Sequence, residues 1–195
     1  MWSAAILAGG ESRRFGGRDK GALVVDGRSI RERQLEALTT IATDIMIVGG
    51  RGPAPTPARI VTDKIAGGGP LSGLHAALSE ATGEATAVIA CDMPFVSAAL
   101  LDHLLTLTRD ADIVVPRDSR GYHPLCAAYT RACLAPAAAH LANGRLKMTD
   151  LFEDLRVRVV TPEEIDVFGN PDRLLANVNT PAEYGGLEPS QGYQL

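Results

Sequence analysis

Residues 6–20 have the sequence ILAGGESRRFGGRDK, and this stretch decides how the rest of the chain is arranged. The apolar run 4–7 is typical of a buried strand, and it continues directly into two glycines. Glycine lacks a Cβ, so backbone N–H groups there can approach a ligand closely and form a nest for an anion. The loop also carries four cationic side chains, Arg13, Arg14, Arg18 and Lys20. The stretch therefore predicts a phosphate-binding loop after the first strand of an α/β domain, rather than a surface loop with chance arginines.

Two common phosphate-binding patterns are absent from this loop. A P-loop ends in Gly-Lys-Ser/Thr, whereas Lys20 follows Asp19 and precedes Gly21. The Gly-x-Gly-x-x-Gly dinucleotide fingerprint has no match at the glycine pairs 9–10 and 16–17. The missing fingerprint weakens the alternative of a Rossmann oxidoreductase.

Length and composition favour a single α/β domain. With 195 residues, 46% of them hydrophobic and 22% charged, the chain can bury a substantial core. The net charge of -4 argues against nucleic acid as a partner, and no apolar run is long enough to span a membrane. The first strand begins almost at Met1, so we expect no signal peptide. An odd number of cysteines without CxxC spacing predicts neither a disulfide framework nor a zinc site, and favours the cytoplasm.

Strand and helix patterns alternate along most of the chain. The predicted strands are 4–7, 44–48, 59–61, 87–90, 113–115, 125–129, 157–160 and 176–179. The predicted helices are 29–42, 70–78, a segment capped by Ser97, 131–143 and 148–155, with a helical turn from Pro181. Ser29 and Glu32 fit a capping box, Pro70 suits a first helical position, and 125–129 suggests a hairpin-like excursion. We expect one domain over 1–184 and a disordered tail over 185–195.

Such alternation predicts a mostly parallel sheet with helices on both faces. Right-handed crossovers then place the carboxyl ends of the parallel strands at one edge, where open α/β sheets bind ligands. Gly9 and Gly10 follow the first strand, Asp63 the third and Asp92 the fourth. These residues are therefore predicted to meet at one site.

Each of these side chains also has a structural explanation. Asp92 suits a magnesium ligand, because Mg²⁺ prefers few protein oxygens, but it can equally cap the turn that follows. Asp63 suits the paired N–H donors of guanine, or is a solvated loop acid. The glycine-rich start of the helix at residues 69–74 favours anions, or serves only to begin that helix.

The residue pattern LAGGxSxRFGxxDK over 7–20 resembles the first motif of the molybdenum cofactor guanylyltransferases, the molybdopterin-guanine dinucleotide synthesis protein A family. GPLSGL at 69–74, the step His123-Pro124 and NVNTP at 177–181 are similar to later motifs of the same family. The resemblance extends from Ile6 to about Tyr184. It implies a Rossmann-like three-layer sandwich of the nucleotide-diphospho-sugar transferase type.

The resemblance also implies a reaction: Mg²⁺-dependent transfer of GMP from GTP to the phosphate of molybdopterin or Mo-molybdopterin, with release of pyrophosphate. It implies transient contact with proteins that deliver or accept the molybdenum cofactor. The implied catalytic residues are Lys20, Arg14 and Asp92, with Asp92 as the metal ligand. The implied nucleotide-binding residues are Leu7, Ala8, Gly9, Gly10, Lys20, Asp63 and Asp92. The implied acceptor-binding residues are His123, Asn177 and Asn179, the two asparagines on one side of a predicted strand.

One departure and several alternatives stay open. The family often carries a nucleotide-contacting asparagine at the end of the second strand, where this chain has Val48 followed by two glycines. A cytidylyltransferase acting on molybdopterin, or an enzyme acting on a sugar phosphate, would share the same loop. A nucleotide-binding module without turnover is an alternative of another class, and it would release no pyrophosphate.

Overall fold

The structure is a computed structural model, and it describes residues 1–8, 20–50, 54–63, 65 and 67–178. The predictions for Gly9, Gly10, Arg14, Asn179 and residues 181–195 lie outside the described residues. The domain boundary at 184 therefore stays a prediction.

The described residues form ten strands, six α-helices and three short 3₁₀ turns. The strands are β1 (Trp2–Leu7), β2 (Val24–Val25), β3 (Arg28–Ser29), β4 (Asp44–Val48), β5 (Arg59–Val61), β6 (Ala85–Ala90), β7 (Ile113–Asp118), β8 (Gly121–Tyr122), β9 (Cys126–Thr130) and β10 (Val157–Val160). The helices are α1 (Ile30–Thr39), α2 (Gly69–Glu80), α3 (Ala98–Leu107), α4 (Leu134–Ala142), α5 (Pro162–Asp166) and α6 (Pro171–Leu174). The 3₁₀ turns span Lys20–Ala22, Arg131–Cys133 and Met148–Glu153.

The central sheet has the strand order β10-β7-β9-β6-β1-β4-β5, and β8 pairs with β7 at its end. Strand β1 lies parallel to both β4 and β6, β4 is parallel to β5, and β10 is parallel to β7. Strand β9 runs antiparallel between β6 and β7, so those two neighbours share one direction. The mostly parallel sheet predicted from the sequence is confirmed, and the carboxyl ends of its parallel strands share one edge.

Helices cover both faces of this sheet. Along β1, Ala4 and Ile6 pack on the side of α1 and α3, whereas Ala5 and Leu7 pack on the side of α2 and α4. This alternation follows from the two-residue period of a strand, and both sets of side chains are buried because both faces are covered. The three-layer α/β arrangement is therefore confirmed.

Local signals in the sequence placed several helix ends correctly. The Ser29 hydroxyl accepts a hydrogen bond from the N–H of Glu32 at 3.2 Å, and the Glu32 carboxylate accepts one from the N–H of Ser29 at 2.8 Å. Ser97 caps α3 through the N–H of Leu100. Gly144 has φ +69° just beyond α4, as expected of a helix-ending glycine. Pro70 is the second residue of α2, one position later than predicted.

The segment predicted as strand 125–129 is strand β9, which returns antiparallel to β7 as a hairpin-like excursion implies and also pairs with β6 within the main sheet. Two other expectations need correction. Residues 176–178 are not a strand, because the N–H of Val178 bonds the carbonyl of Asp92 at 2.8 Å rather than a sheet neighbour. Helices α5 and α6 were missed, although Thr161 and Glu164 form a second capping box at the start of α5.

Asp44 connects several elements at the amino edge of the sheet, opposite the carboxyl ends. Its carboxylate accepts hydrogen bonds from Ser3 Oγ at 2.9 Å, Arg59 Nε at 2.9 Å and the N–H of Thr82 at 3.1 Å. Burial raises the pKa of Asp44, but hydrogen bonds from Arg59, Thr82 and Ser3 outweigh that effect and lower the pKa below its usual 3.8. The group therefore stabilises the fold above its usual pKa, and this contribution is lost as the pH falls.

We expect Asp44→Ala to lower the free energy of unfolding by roughly 2 kcal/mol at neutral pH. The melting temperature should then fall by about 4–8 °C. Thermal melts at neutral and acidic pH measure this, and the difference from wild type should shrink in acid. Asp110→Ala removes an exposed acid and is the control. Equal melting temperatures for wild type and Asp44→Ala would refute the role of Asp44.

Candidate active site

Four parallel strands end side by side and define the candidate site. Beyond the strand ends, hydrogen bonds join Ala8 N–H to the carbonyl of Val48 at 2.9 Å and Gly49 N–H to that of Val61 at 3.0 Å. A third joins Cys91 N–H to the carbonyl of Leu7 at 3.2 Å. The backbone after β1, β4 and β6 is therefore held in register where the predicted ligand-binding residues begin.

Lys20 and Asp92 meet at this edge although 72 residues separate them. The ammonium Nζ of Lys20 lies 2.8 Å from Oδ2 of Asp92, and their side chains are 20% and 12% exposed. The second oxygen, Oδ1, is buried and has no hydrogen-bond partner within the described part of the chain. Because a buried carboxylate oxygen without a partner is costly, Oδ1 is suited to bind a cation.

The backbone around Asp92 is fixed from two sides. Gln34, fully buried in α1, donates its side-chain amide to the carbonyl of Ala90 at 2.7 Å and to that of Met93 at 3.1 Å. The N–H of Val178 donates to the carbonyl of Asp92 itself. The sequence analysis did not predict this role of Gln34. The available signal was a polar residue next to the apolar positions of the first helix, Leu35 and Leu38.

The segment before α2 is the second part of the site. Gly67 and Gly69 have φ of +80° and +58°, a backbone conformation that residues other than glycine rarely adopt. A Cβ on Gly68 would come within 2.8 Å of Leu141 Cδ2, so α2 and α4 approach closely there. No side chain of a described residue caps this end of α2, and the N–H groups in the first turn of a helix favour an anionic group.

Asp63 is tied to the same helix. Its Oδ2 accepts a hydrogen bond from Ser72 Oγ at 2.6 Å, and its Oδ1 accepts one from the N–H of Ile65 at 3.0 Å. These bonds orient the carboxylate at the start of α2 and use two of its roughly four lone-pair directions. The remaining lone-pair directions would allow contact with guanine, and that contact stays a prediction.

The other predicted residues fall into three groups. Leu7 and Ala8 lie at the end of β1, and Leu7 packs so closely on α2 that a Cβ on Gly73 would be 3.3 Å from its Cδ1. The His123 Nε2 lies 2.9 Å from Oδ1 of Asp118, in the loop between β8 and β9. Asn177 is exposed beside Val178, but it is not on a strand, so the argument that alternation aligns it with Asn179 is wrong.

The carboxylates present fit a magnesium site better than a zinc site. In the described ranges no three His, Cys, Asp or Glu side chains come together to hold a metal ion. Mg²⁺ commonly uses one or two carboxylates together with phosphate oxygens and water. Oδ1 of Asp92 therefore suffices as the protein ligand in such a site.

Among the described residues, none of the helices has the length and apolar character to cross a lipid bilayer.

The sequence of this chain is similar to known proteins over most of its length. The family model for the MobA-like NTP transferase domain matches residues 4–159. A molybdenum cofactor guanylyltransferase of Desulfosudis oleivorans is 36% identical, with 91% of this chain and 90% of that protein covered. A probable molybdenum cofactor guanylyltransferase of Pelotomaculum thermopropionicum is 34% identical, with coverages of 93% and 89%.

Solved structures show the same fold. The crystal structure of molybdopterin-guanine dinucleotide biosynthesis protein A from Archaeoglobus fulgidus has a TM-score of 0.80 at 26% identity, covering 95% of this chain and 96% of that one. The 2-C-methyl-D-erythritol 4-phosphate cytidylyltransferase of Thermus thermophilus has a TM-score of 0.68 at 15% identity, with coverages of 94% and 96%. The second likeness concerns the fold alone. With the family match and the relatives above 30% identity, the chain belongs to the MobA-like NTP transferases and is a nucleotidyltransferase.

Proposed function

We propose that this chain transfers GMP from GTP to the terminal phosphate of molybdopterin or Mo-molybdopterin, giving molybdopterin guanine dinucleotide and pyrophosphate. The names of its relatives support this choice of nucleotide and acceptor. The observation that carries it is the Lys20–Asp92 pair, an ammonium 2.8 Å from a carboxylate whose other oxygen is buried and available. A cation-binding carboxylate beside a fixed ammonium suits the polyphosphate of a nucleotide.

Magnesium fits this pair as the cofactor. Asp92 would hold Mg²⁺ through Oδ1, since Oδ2 already accepts a hydrogen bond from Lys20. When bound, the ion neutralises negative charge on the nucleotide phosphates. The hydrogen bonds that the Gln34 side chain and the Val178 N–H donate to the backbone around Asp92 keep the carboxylate in place for this purpose.

The chain's own residues supply positioning and charge. A phosphate oxygen of the acceptor attacks the α-phosphorus of GTP, and the bond from that phosphorus to the bridging oxygen breaks, so pyrophosphate leaves with the electron pair. An acceptor phosphate is largely ionised near neutrality, so no general base is needed. Lys20 stabilises the negative charge that grows on the leaving group, and the first N–H groups of α2 add positive potential.

The same proposal covers partners and compartment. GTP and molybdopterin are the substrates, and proteins that deliver or accept the molybdenum cofactor would contact the chain transiently. Three free cysteines, two of them buried, suit a reducing compartment, and we assign the reaction to the cytoplasm.

Pyrophosphate release tests the proposal. The chain should release pyrophosphate from GTP, in the presence of molybdopterin and Mg²⁺, much faster than from ATP, CTP or UTP. Omitting molybdopterin should abolish release. A preference for CTP, or release with a sugar phosphate in place of molybdopterin, would overturn the substrate assignment. Binding of nucleotides without any turnover would overturn the assignment of an enzyme.

Base choice leads to a prediction at Gly9, which rests on the sequence. The motif here is Leu7-Ala8-Gly9-Gly10. The molybdopterin cytidylyltransferases commonly have alanine at the third position of the matching motif. A purine extends further from the ribose than a pyrimidine, so one added methyl group can obstruct it. We expect Gly9→Ala to lower kcat/KM for GTP by about tenfold and to leave that for CTP nearly unchanged.

Measuring kcat/KM for GTP and CTP with both proteins checks this prediction. If Gly9 is needed only for a backbone conformation that alanine disfavours, use of both nucleotides should fall together. An unchanged ratio would place base selection elsewhere, with Asp63 as the next candidate.

A further inference from the structure

A buried aspartate organises the hairpin of β7 and β8. The side chain of Asp118, the last residue of β7, is 5% exposed. Its Oδ2 accepts hydrogen bonds from Nε and Nη2 of Arg120 at 2.8 and 2.6 Å. Its Oδ1 accepts one from the N–H of Arg120 at 2.8 Å and lies 2.9 Å from Nε2 of His123. One carboxylate thus fixes the orientation of two potentially cationic side chains.

The direction of these bonds determines which atoms remain available. Burial raises the pKa of Asp118, but hydrogen bonds from Arg120 and His123 outweigh it and lower that pKa to about 2. The carboxylate is therefore ionised near neutrality, and Nε2 of His123 faces it at 2.9 Å. No described residue hydrogen-bonds Nδ1 of His123 or Nη1 of Arg120, so both can serve a ligand.

The sheet places this hairpin beside the candidate active site. Strand β9 pairs antiparallel with β6 through Ile89 and Cys126, and the N–H of Ala90 bonds the carbonyl of Leu125 at 2.9 Å. Residues just before β9 therefore lie next to those just after β6, which brings His123 near Asp92.

The C-terminal segment connects the same two places. Arg120 Nη2 lies 4.0 Å from Asp172 Oδ1 in α6. Six residues later, Val178 bonds the carbonyl of Asp92. Asn177 is exposed on this segment, next to Val178. The hairpin and the pair thus bound one region at the carboxyl edge of the sheet.

We propose that Asp118 holds Arg120 and His123 as a two-donor clamp that binds the terminal phosphate of the acceptor. This inference rests on the proposed function, because it assigns the acceptor half of the same site. The guanidinium donates through Nη1, and the ring of His123 donates through Nδ1. Both donors are oriented before the acceptor arrives, so little conformational entropy is lost on binding. Asp118 is a positioning residue, since it acts through its two partners.

Steady-state kinetics with GTP and molybdopterin give the first test. Arg120→Gln and Asp118→Asn should each raise KM for molybdopterin about tenfold, which corresponds to loss of one charge-assisted hydrogen bond. KM for GTP should stay within twofold of wild type. Arg120→Gln alters a half-exposed side chain, so it tests the clamp even if Asp118→Asn folds poorly.

Strand β7 carries a matched control at its other end. Asp112 binds Arg156 through Nε at 3.1 Å and Nη2 at 2.9 Å, the same forked pairing at the opposite edge of the sheet. Asp112→Asn and Arg156→Gln should leave both KM values unchanged. A rise in KM for molybdopterin in these controls as large as in the hairpin variants would overturn the proposal.

A binding experiment separates this inference from the proposed reaction. The imidazole ¹H–¹⁵N resonances of the four histidines can be assigned with His123→Gln. The His123 signal should then shift saturably on titration with phenyl phosphate, and Arg120→Gln should weaken this binding about tenfold. This readout needs neither GTP nor turnover. A His123 signal that does not move, or equal binding by Arg120→Gln, would overturn the clamp even if GMP transfer is established. A loss of GTP-dependent turnover with the clamp intact would instead overturn only the proposed function.

Discussion

Lys20→Ala should lower kcat for pyrophosphate release about 10³–10⁴-fold while the protein stays folded. The ammonium lies 2.8 Å from Asp92 and is mostly buried, so its charge is only weakly screened by water. It is expected to stabilise charge that grows in the transition state, and kcat should therefore fall more than the affinity for GTP. Single-turnover measurements at saturating GTP test this.

Lys147→Ala is the matched control, because it removes an exposed lysine that is not part of the Lys20–Asp92 pair. It should leave kcat unchanged. Circular dichroism and thermal melts establish that Lys20→Ala is folded. A folded Lys20→Ala protein that retains the wild-type kcat would show that another cation performs this role.

Asp92→Asn should reduce magnesium-dependent activity by at least about 10³-fold. The amide keeps the shape of the side chain but lacks the negative charge that holds a divalent ion. If Asp92 served mainly to form the turn after β6, asparagine would substitute well. Within the described chain the carboxylate accepts a hydrogen bond from Lys20 and none from its own turn, which favours the larger effect.

The two variants should differ in their response to the metal. Lys20→Ala retains both oxygens of Asp92, so Mg²⁺ with GTP should still raise its melting temperature. Asp92→Asn should lose that increase. Asp112→Asn is the control for removal of a carboxylate at the opposite edge of the sheet, and it should keep the magnesium response. An Asp92→Asn protein that keeps both activity and the magnesium-dependent increase would overturn the assignment of the metal ligand.

The alternation of strands and helices was predictable because covered parallel strands form continuous apolar runs. The runs 44–48, 59–61 and 157–160 are strands with those bounds, and the capping box at Ser29 and Glu32 gave the start of α1. The ends of these strands then predicted that the loop after the first strand and Asp92 would share one edge. Local patterns could not predict the 2.8 Å contact between Lys20 and Asp92, because it depends on the packing of elements that are 72 residues apart in the chain.

The errors arose where tertiary contacts outweigh local pattern. Residues 176–178 have a strand-like composition, yet Val178 is fully buried against Val25 and Ile30, and its N–H bonds Asp92. The antiparallel insertion of β9 between β6 and β7 likewise leaves no mark in its own sequence. The contacts of Gln34 and Asp118 depend on partners that only the fold brings near them.

The bond from Val178 to Asp92 has a consequence for synthesis on the ribosome. A nascent chain that has emerged only as far as β10 already contains every strand of the sheet, but Val178 is still unavailable. The carbonyl of Asp92 then lacks its donor, and the small cluster of Val25, Ile30 and Val178 lacks its third member. The contacts that fix Asp92 are therefore completed only after Val178 has emerged, so a product terminated before that residue would lack the bond that holds the carbonyl of Asp92.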